Sequence, residues 1–202
     1  KFYEVMKNDP APMNGSQLFG VLYGSQFKFD KEKMPAEIDA LREKLMKEYE
    51  EGEKPERKKR ILLTGCPSSG APMKVVKAIE EHGGNVVVYE NCGGAKSVDR
   101  LIDEDAEDIY KAIAERYLAI GCSVMTPDNN RIELMGRLLE EYNIEGVVEM
   151  TLQACHTYNI EAKSIEKFVK SKGLPYIHVE TDYSQADIGQ LDTRIAAFLE
   201  MI

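Results

Sequence analysis

The sequence predicts an α/β fold: a four-stranded parallel sheet with helices on both faces, preceded by a helical arm. Three observations carry this. From residue 60 onward, short β-rich runs alternate with helical patterns, the order that parallel strands and their crossover helices require. Residues 1–59 hold no β-rich run, and their apolar residues fall in helical patches. The 202 residues, 43% apolar and 30% charged, suffice for one large domain with a real core.

Taken in order, the arm has apolar patches at Phe2 to Met6 and Leu18 to Phe29. An amphipathic helix follows, marked by Ile38, Leu41, Leu45 and Tyr49, and the charged stretch Glu50 to Lys59 reads as a linker. The arm, 1–59, is expected to be the tail of a missing N-terminal domain, and 60–202 the α/β domain. The first strand is Arg60 to Thr64, and Lys74 to His82 is a helix stopped by Gly83 and Gly84. Asn85 to Glu90 is the second strand. A helix over Glu104 to Tyr117, with Ile109, Ile113 and Tyr117 on one face and Asp103 as N-cap, comes next. Pro127, Asp128 and Asn129 lead into a helix to Tyr142 with Ile132, Met135, Leu138 and Leu139 as its buried stripe. Gly146 to Leu152 is the third strand and Ile160 to Lys172 a helix closed by Gly173. The strand Pro175 to Glu180 and a last helix over Gly189 to Met201 complete a Rossmann- or flavodoxin-like sheet.

Charge narrows the function. Thirty-five acidic against 26 basic side chains give −9, with no positive excess to neutralise nucleic-acid phosphates. The longest apolar runs, such as Asn85 to Tyr89, fall far short of the roughly 20 residues that span a bilayer. The chain begins at Lys1 with no basic-then-apolar leader, so the expectation is a cytoplasmic piece of a longer protein.

The four cysteines, Cys66, Cys92, Cys122 and Cys155, are 26, 30 and 33 residues apart, with no close pair. Reduced thiols are expected rather than a disulfide framework. Ligands of an open parallel sheet bind outside the carboxyl ends of the strands, and Cys66, Cys92 and Cys155 each follow such an end. One βα repeat separates Cys122 from each neighbour, which puts it within reach of the same rim. Thiolates gathered from separate loops suit an iron–sulfur cluster, whereas structural zinc generally uses close ligand pairs. The competing reading is four small buried hydrophobes.

Other motifs weigh less. Gly65 to Gly70 has the spacing of a phosphate-binding loop, but Ala71 and Pro72 stand where Lys and Ser or Thr are needed, which excludes a nucleotide triphosphatase. His156, beside Cys155, is a candidate proton donor or a hydrogen-bonded structural residue. Glu180, Asp182, Asp187 and Asp192 are expected to cap and to favour a helix dipole. His82 and His178 read as structural.

The chain resembles the 2-hydroxyacyl-CoA dehydratase and benzoyl-CoA reductase family through ILLTGCP at 61–67, YENCGG at 89–94, LQACHTYNIE at 152–161 and HVETDYSQADIGQLDTRIAAFLE at 178–200. The resemblance covers 60–202 closely and the arm loosely. It implies two α/β halves with an iron–sulfur cluster between them, this chain being the second half, and an ATP-hydrolysing iron–sulfur activator protein as electron donor. Cys155 corresponds to the cluster ligand the second half generally supplies. The additional Cys66, Cys92 and Cys122 are similar to the branch that carries a double cubane, two four-iron cubes sharing a sulfide, in dimers that reduce small molecules. Such a group needs about six thiolates, so the missing half has to supply the remainder, and the isolated fragment is expected to lack the cluster and activity. The functions implied are reduction of a small substrate or reductive 2-hydroxyacyl-CoA dehydration, in a homodimer or heterodimer. A non-catalytic electron-carrying or cluster-holding subunit, and an unrelated cysteine-dependent redox or zinc domain, stand as alternatives.

Overall fold

The computed structural model describes residues 1–66 and 70–202. Strands β1 (Lys59–Gly65), β2 (Gly84–Tyr89), β3 (Gly146–Leu152) and β4 (Tyr176–Thr181) form one parallel sheet in the order β2-β1-β3-β4. The chain passes from β1 to one neighbour and then back across to the other, so the crevice between the carboxyl ends of β1 and β3 is the topological switch point. Strands β1, β2 and β3 are buried almost throughout and read as continuous apolar runs, as strands covered on both faces must. The edge strand β4 is half-buried.

Right-handed crossovers that leave β1 in opposite directions put their helices on opposite faces. Helices α3 (Ala71–Glu81) and α8 (Ile188–Glu200) pack on each other over one face. Helices α6 (Asn129–Glu141) and α7 (His156–Ser171) meet over the other, where Gly136 faces the ring of Phe168.

The arm is a 3₁₀ turn over Phe2–Lys7 followed by α1 (Gly15–Gln26) and α2 (Met34–Glu51). Asn14 starts α1 through a reciprocal capping box with Gln17. Met6 and Leu18 have no exposed surface and join the core of the sheet, each contributing about 1.5–3 kcal/mol by burial. Buried Arg60, on β1, ties the arm down by donating to the carbonyls of Met6 at 2.6 Å, Asn8 at 2.8 Å and Tyr142 at 2.7 Å.

Three helix starts differ from the sequence expectation. Helix α3 begins at Ala71 rather than Lys74, because Pro72 fits the first turn, where its missing N–H costs nothing. The helix expected over 104–117 is a short α4 (Ala95–Val98) and an α5 that spans Ile109–Leu118. Asp103 does not cap it: its carboxylate turns back to accept from the Asp105 N–H at 3.1 Å, and Asp108 caps α5 by accepting from Lys111 N at 3.1 Å. Ile109 and Tyr117, expected inside, are exposed. Helix α7 begins at His156, one residue past Cys155 rather than five. Among the described residues no helix is long and apolar enough to cross a membrane.

Candidate functional site

The parallel sheet delivers the cysteines to one edge, in two pairs. Cys66 follows β1 directly, is buried, donates its N–H to the Met150 carbonyl at 2.8 Å and accepts from the Leu152 N–H at 3.3 Å through Sγ. The residue before it must be glycine. Gly65 has φ +108, and a Cβ there would lie 2.0 Å from the Met150 oxygen. Cys155 follows β3 after a tight turn in which Ala154 adopts φ 63, a left-handed conformation that costs a non-glycine residue about 1–2 kcal/mol. This turn brings the Cys155 sulfur against Cys66 across the switch point.

The two thiols of this pair differ in acidity. Burial pushes the Cys66 thiol up to about 12. For Cys155 burial also acts upward, but the Tyr158 N–H, the Cys66 thiol and the Thr157 hydroxyl at 3.8 Å outweigh it and hold it below the usual thiol value. The sulfur stands at the N-terminus of α7, where backbone N–H groups favour a thiolate.

The other pair sits at the β2 side. Cys92 follows β2 by three residues; its outer surface is exposed, yet its inner side is packed closely enough for burial to raise the thiol, with the Lys96 ammonium opposing. Cys122, half-buried in the loop between α5 and α6, is its charge neighbour. Gly121 makes that approach possible, since a Cβ would lie 2.6 Å from the Arg131 nitrogen. The buried Tyr158 of α7 stands between the pairs: its N–H serves Cys155 and its phenol faces Cys92 and Cys122.

Below this edge lies a buried charge network that the sequence reading missed. Arg131, with no exposed surface, donates to Glu90 at 3.2 Å, Glu149 at 3.1 Å, Thr64 Oγ1 at 2.8 Å and Glu161. Burial would lower its pKa, but the three carboxylates raise it well above the ordinary arginine value. Burial raises Glu149, against Arg131 and a 2.6 Å bond from Tyr176 Oη. Lys96, 2% exposed, has its Nζ 3.1 Å from Glu90 Oε1 but off the hydrogen-bonding direction, so neither atom has a hydrogen-bond partner among the described residues. Tyr158 Oη likewise has none. One signal was available: Glu149 interrupts the apolar strand GVVEMTL, and a charge inside a buried strand needs a partner.

A cavity of about 570 Å³ opens between the 123–129 loop and α7, with Val124, Met125, Ile132 and Ile160 among its apolar walls; Thr157, the hydroxyl neighbour of Cys155, lines it, but no cysteine does among the described residues. Asp128 and Glu161 are its charged groups. Asp128 caps α6 at Arg131 N, and burial followed by the nearby Glu161 pushes its carboxyl up to about 6.

His156 is the first residue of α7, exposed, with no side-chain hydrogen bond among the described residues. The carboxylates of Glu180, Asp187 and Asp192 make no helix-cap bond: Asp187 holds the N-cap position of α8 but turns its side chain elsewhere. Asp187 accepts from Lys74 and Thr181, Asp192 pairs with His82 at 2.8 Å, and Glu180 accepts from Asn159 at 2.9 Å. Pro67, of the GCP motif, and the middle of the 65–70 loop lie outside the described residues.

The donor set tests whether an iron–sulfur group fits. Among the described residues no three His, Cys, Asp or Glu side chains converge closely enough for a single ion. Two soft pairs flanking Tyr158, with two buried donors left unused beside them, suit a larger, sulfur-rich group that draws further ligands from elsewhere.

Comparison with known proteins agrees with the motifs. The family model described as 2-hydroxyglutaryl-CoA dehydratase, D-component, matches residues 1–202. YjiM of Escherichia coli, assigned by name to the dehydratase subunits, is 47% identical over all 202 residues, which cover 52% of its length. One of the subunits of benzoyl-CoA reductase from Thauera aromatica is 23% identical over 161 residues, 75% of this chain and 36% of that one. The beta chain of (R)-2-hydroxyglutaryl-CoA dehydratase from Acidaminococcus fermentans is 25% identical over 104 residues, 49% of this chain and 27% of that one. The chain spans about half the length of the first of these relatives and less of the others. With the thiol edge, the sheet and a family match that leaves no part of it outside, the chain belongs to the 2-hydroxyglutaryl-CoA dehydratase D-component family.

Proposed function

We propose that this chain is the iron–sulfur-binding half of an enzyme that receives low-potential electrons from an ATP-hydrolysing activator protein and passes them to a small substrate. The observation that carries the reading is the convergence of Cys66, Cys155, Cys92 and Cys122 on one sheet edge, on either side of Tyr158. When bound, a [4Fe–4S] or double-cubane group would supply the one-electron chemistry; the chain's own residues hold, shield and charge-balance it. Cys155 and Cys66 would bind at the switch point and Cys92 and Cys122 at the β2 side, the other half or another protomer completing the set. The soft thiolates match iron, and Lys96, whose ammonium opposes the upward shift of Cys92, is the cation nearest that end.

The cavity favours one substrate class. Its charged wall groups are carboxyls, with no lysine or arginine among the described lining residues, which suits a neutral or cationic molecule of modest size better than the phosphates of coenzyme A. Reductive dehydration of a 2-hydroxyacyl thioester is the second form of the reading, supported by the names of the relatives. His156, exposed beside Cys155, is positioned to pass a proton at this edge.

Anaerobic purification of the full-length protein, followed by iron, sulfide and zinc analysis, tests the reading. Iron with equimolar sulfide is expected, and Cys155→Ser should lower iron content and reductive turnover together. Stoichiometric zinc without iron would overturn it. Iron bound without any substrate-dependent reoxidation would leave an electron-carrying subunit.

A further inference from the structure

The Cys92–Cys122 end holds two buried polar groups without a well-aligned hydrogen bond among the described residues. The Lys96 side chain is 1% exposed, and its ammonium carries three N–H donors, none in a hydrogen bond among the described residues. Tyr158, 5% exposed, has a phenol oxygen that makes no well-formed hydrogen bond among the described residues and is drawn only to the Cys92 thiol, whose thiolate form it favours. The two are neighbours, since Lys96 Nζ is 5.7 Å from the centre of the Tyr158 ring.

An unsatisfied buried hydroxyl costs about 1–3 kcal/mol, and an unsatisfied ammonium more. A purely structural explanation of Lys96 would be the pair with Glu90. Glu90 Oε2, however, already accepts from Arg131 and from the Thr64 hydroxyl, and Oε1 gains only an off-axis approach from Lys96. Phenylalanine would fill the same space as Tyr158, and among the described residues the hydroxyl gains only a weak approach to the Cys92 sulfur. Both groups donate hydrogen bonds, both face a thiol pair, and an acceptor rich in sulfur is what that end lacks.

Resting on the reading given under Proposed function, we propose that Lys96 Nζ and Tyr158 Oη are hydrogen-bond donors to the sulfur atoms of the iron–sulfur group at its Cys92–Cys122 end, and that they raise its reduction potential. The physical reason is differential. Reduction adds one electron and no atoms, the electron coming from a low-potential donor, so the reduced group is one charge more negative. A buried cation and a directed O–H stabilise that state more than the oxidised one. Lys96 and Tyr158 are positioning residues for charge, and the bonds they make are absent from the metal-free chain.

The test uses full-length protein reconstituted anaerobically with ferrous iron and sulfide, comparing the parent with Tyr158→Phe and Lys96→Met. Each is titrated with Ti(III) citrate under paramagnetic-resonance detection, and exchangeable-proton couplings to the reduced group are recorded in H₂O and D₂O. Both variants are expected to bind iron as the parent does. At a fixed potential, the ratio of reduced to oxidised group should fall about tenfold per donor lost, a shift of about 59 mV to lower potential. Lys96→Met should move furthest, and each variant should lose an exchangeable-proton coupling.

Tyr158→Phe keeps the proposal open to refutation if Lys96→Met folds poorly. It removes an atom that makes no well-formed hydrogen bond among the described residues, so the thermal midpoint of the metal-free protein should change little. Unchanged potential and couplings in Tyr158→Phe, or a shift to higher potential, overturns the proposal while leaving the iron–sulfur reading intact. A parent that takes up no iron under these conditions overturns the underlying reading itself, and this inference with it.

Discussion

At the Cys66–Cys155 end of the edge the backbone fixes the sulfur atoms: two adjacent parallel strands, a glycine at φ +108 and a left-handed Ala154 determine where they lie. At the Cys92–Cys122 end the chain arrives by loops, and the local order comes from Arg131, Lys96, Tyr158 and the carboxylates beneath them. Backbone-defined geometry is rigid and indifferent to charge, whereas a side-chain network can set the local potential but fails when one member is lost. The difference teaches that one end of the edge is positioned by backbone and the other by a buried charge network.

The largest break in this comparison should come from Arg131→Met. Methionine fills much of the volume but leaves Glu149 buried without its cation and Glu90 with Lys96 alone, a loss of about 3–5 kcal/mol. Urea denaturation measures it, and alkylation of Cys92 should accelerate while that of Cys66 does not. A loss below about 1 kcal/mol would mean that the network is not what orders the Cys92 end.

Next in size is a contrast within the rigid pair. With Cys66 pushed up to about 12 and Cys155 below its usual value, the metal-free protein at pH 8 should alkylate Cys155 at least about 30-fold faster than Cys66, after allowing for the lower nucleophilicity of the more acidic thiolate. Peptide mass spectrometry after timed iodoacetamide treatment reads the ratio. Equal rates would mean that the strands do not shield Cys66.

Smaller effects sharpen the flexible end. Asp128 titrates at about 6 in the folded protein, against about 3.9 in the unfolded chain, so the folded state binds its proton more tightly. The stability this contributes is complete below about pH 4 and is lost as pH rises through 6. The charges facing it are Glu161, which raises it, and Lys96, which lowers it. Asp128→Asn keeps a helix cap and cannot ionise, so denaturant midpoints between pH 4 and 7 should vary less than in the parent. At the rigid end, Ala154→Gly removes the left-handed strain at the cost of a freer unfolded chain, for a net gain of about 0.5–1 kcal/mol in a thermal melt.

The strands were the most legible part of the sequence, because runs such as NVVVY are bounded by glycine and polar residues on both sides. The start of α7 was not legible. LQACHTYN offers no Ser, Thr, Asp or Asn at the cap, and Cys155 takes that place without a side-chain cap bond. The 95–108 stretch misled for the opposite reason: it holds several carboxylates that look like caps, and only packing selects Asp108. Cys66, Cys92 and Cys155 could be read from their places after strands, whereas Cys122 comes from a loop between helices. Lys96, Arg131 and Tyr158 could not, since a buried charge in a helix has the same one-dimensional appearance as a solvated one.

The strand order carries a kinetic consequence. Leu152 N and Cys66 Sγ are 86 residues apart in sequence, and β1 meets β3 only after β2 and everything between has been made. Contacts of that separation carry a loop-closure cost that is met late, once local helices and the β1–β2 pairing have formed. During synthesis or refolding, Cys66 therefore waits as an open thiol on an unfinished edge, and pulse labelling should find it protected after Val86 and Val88 amides have already stopped exchanging.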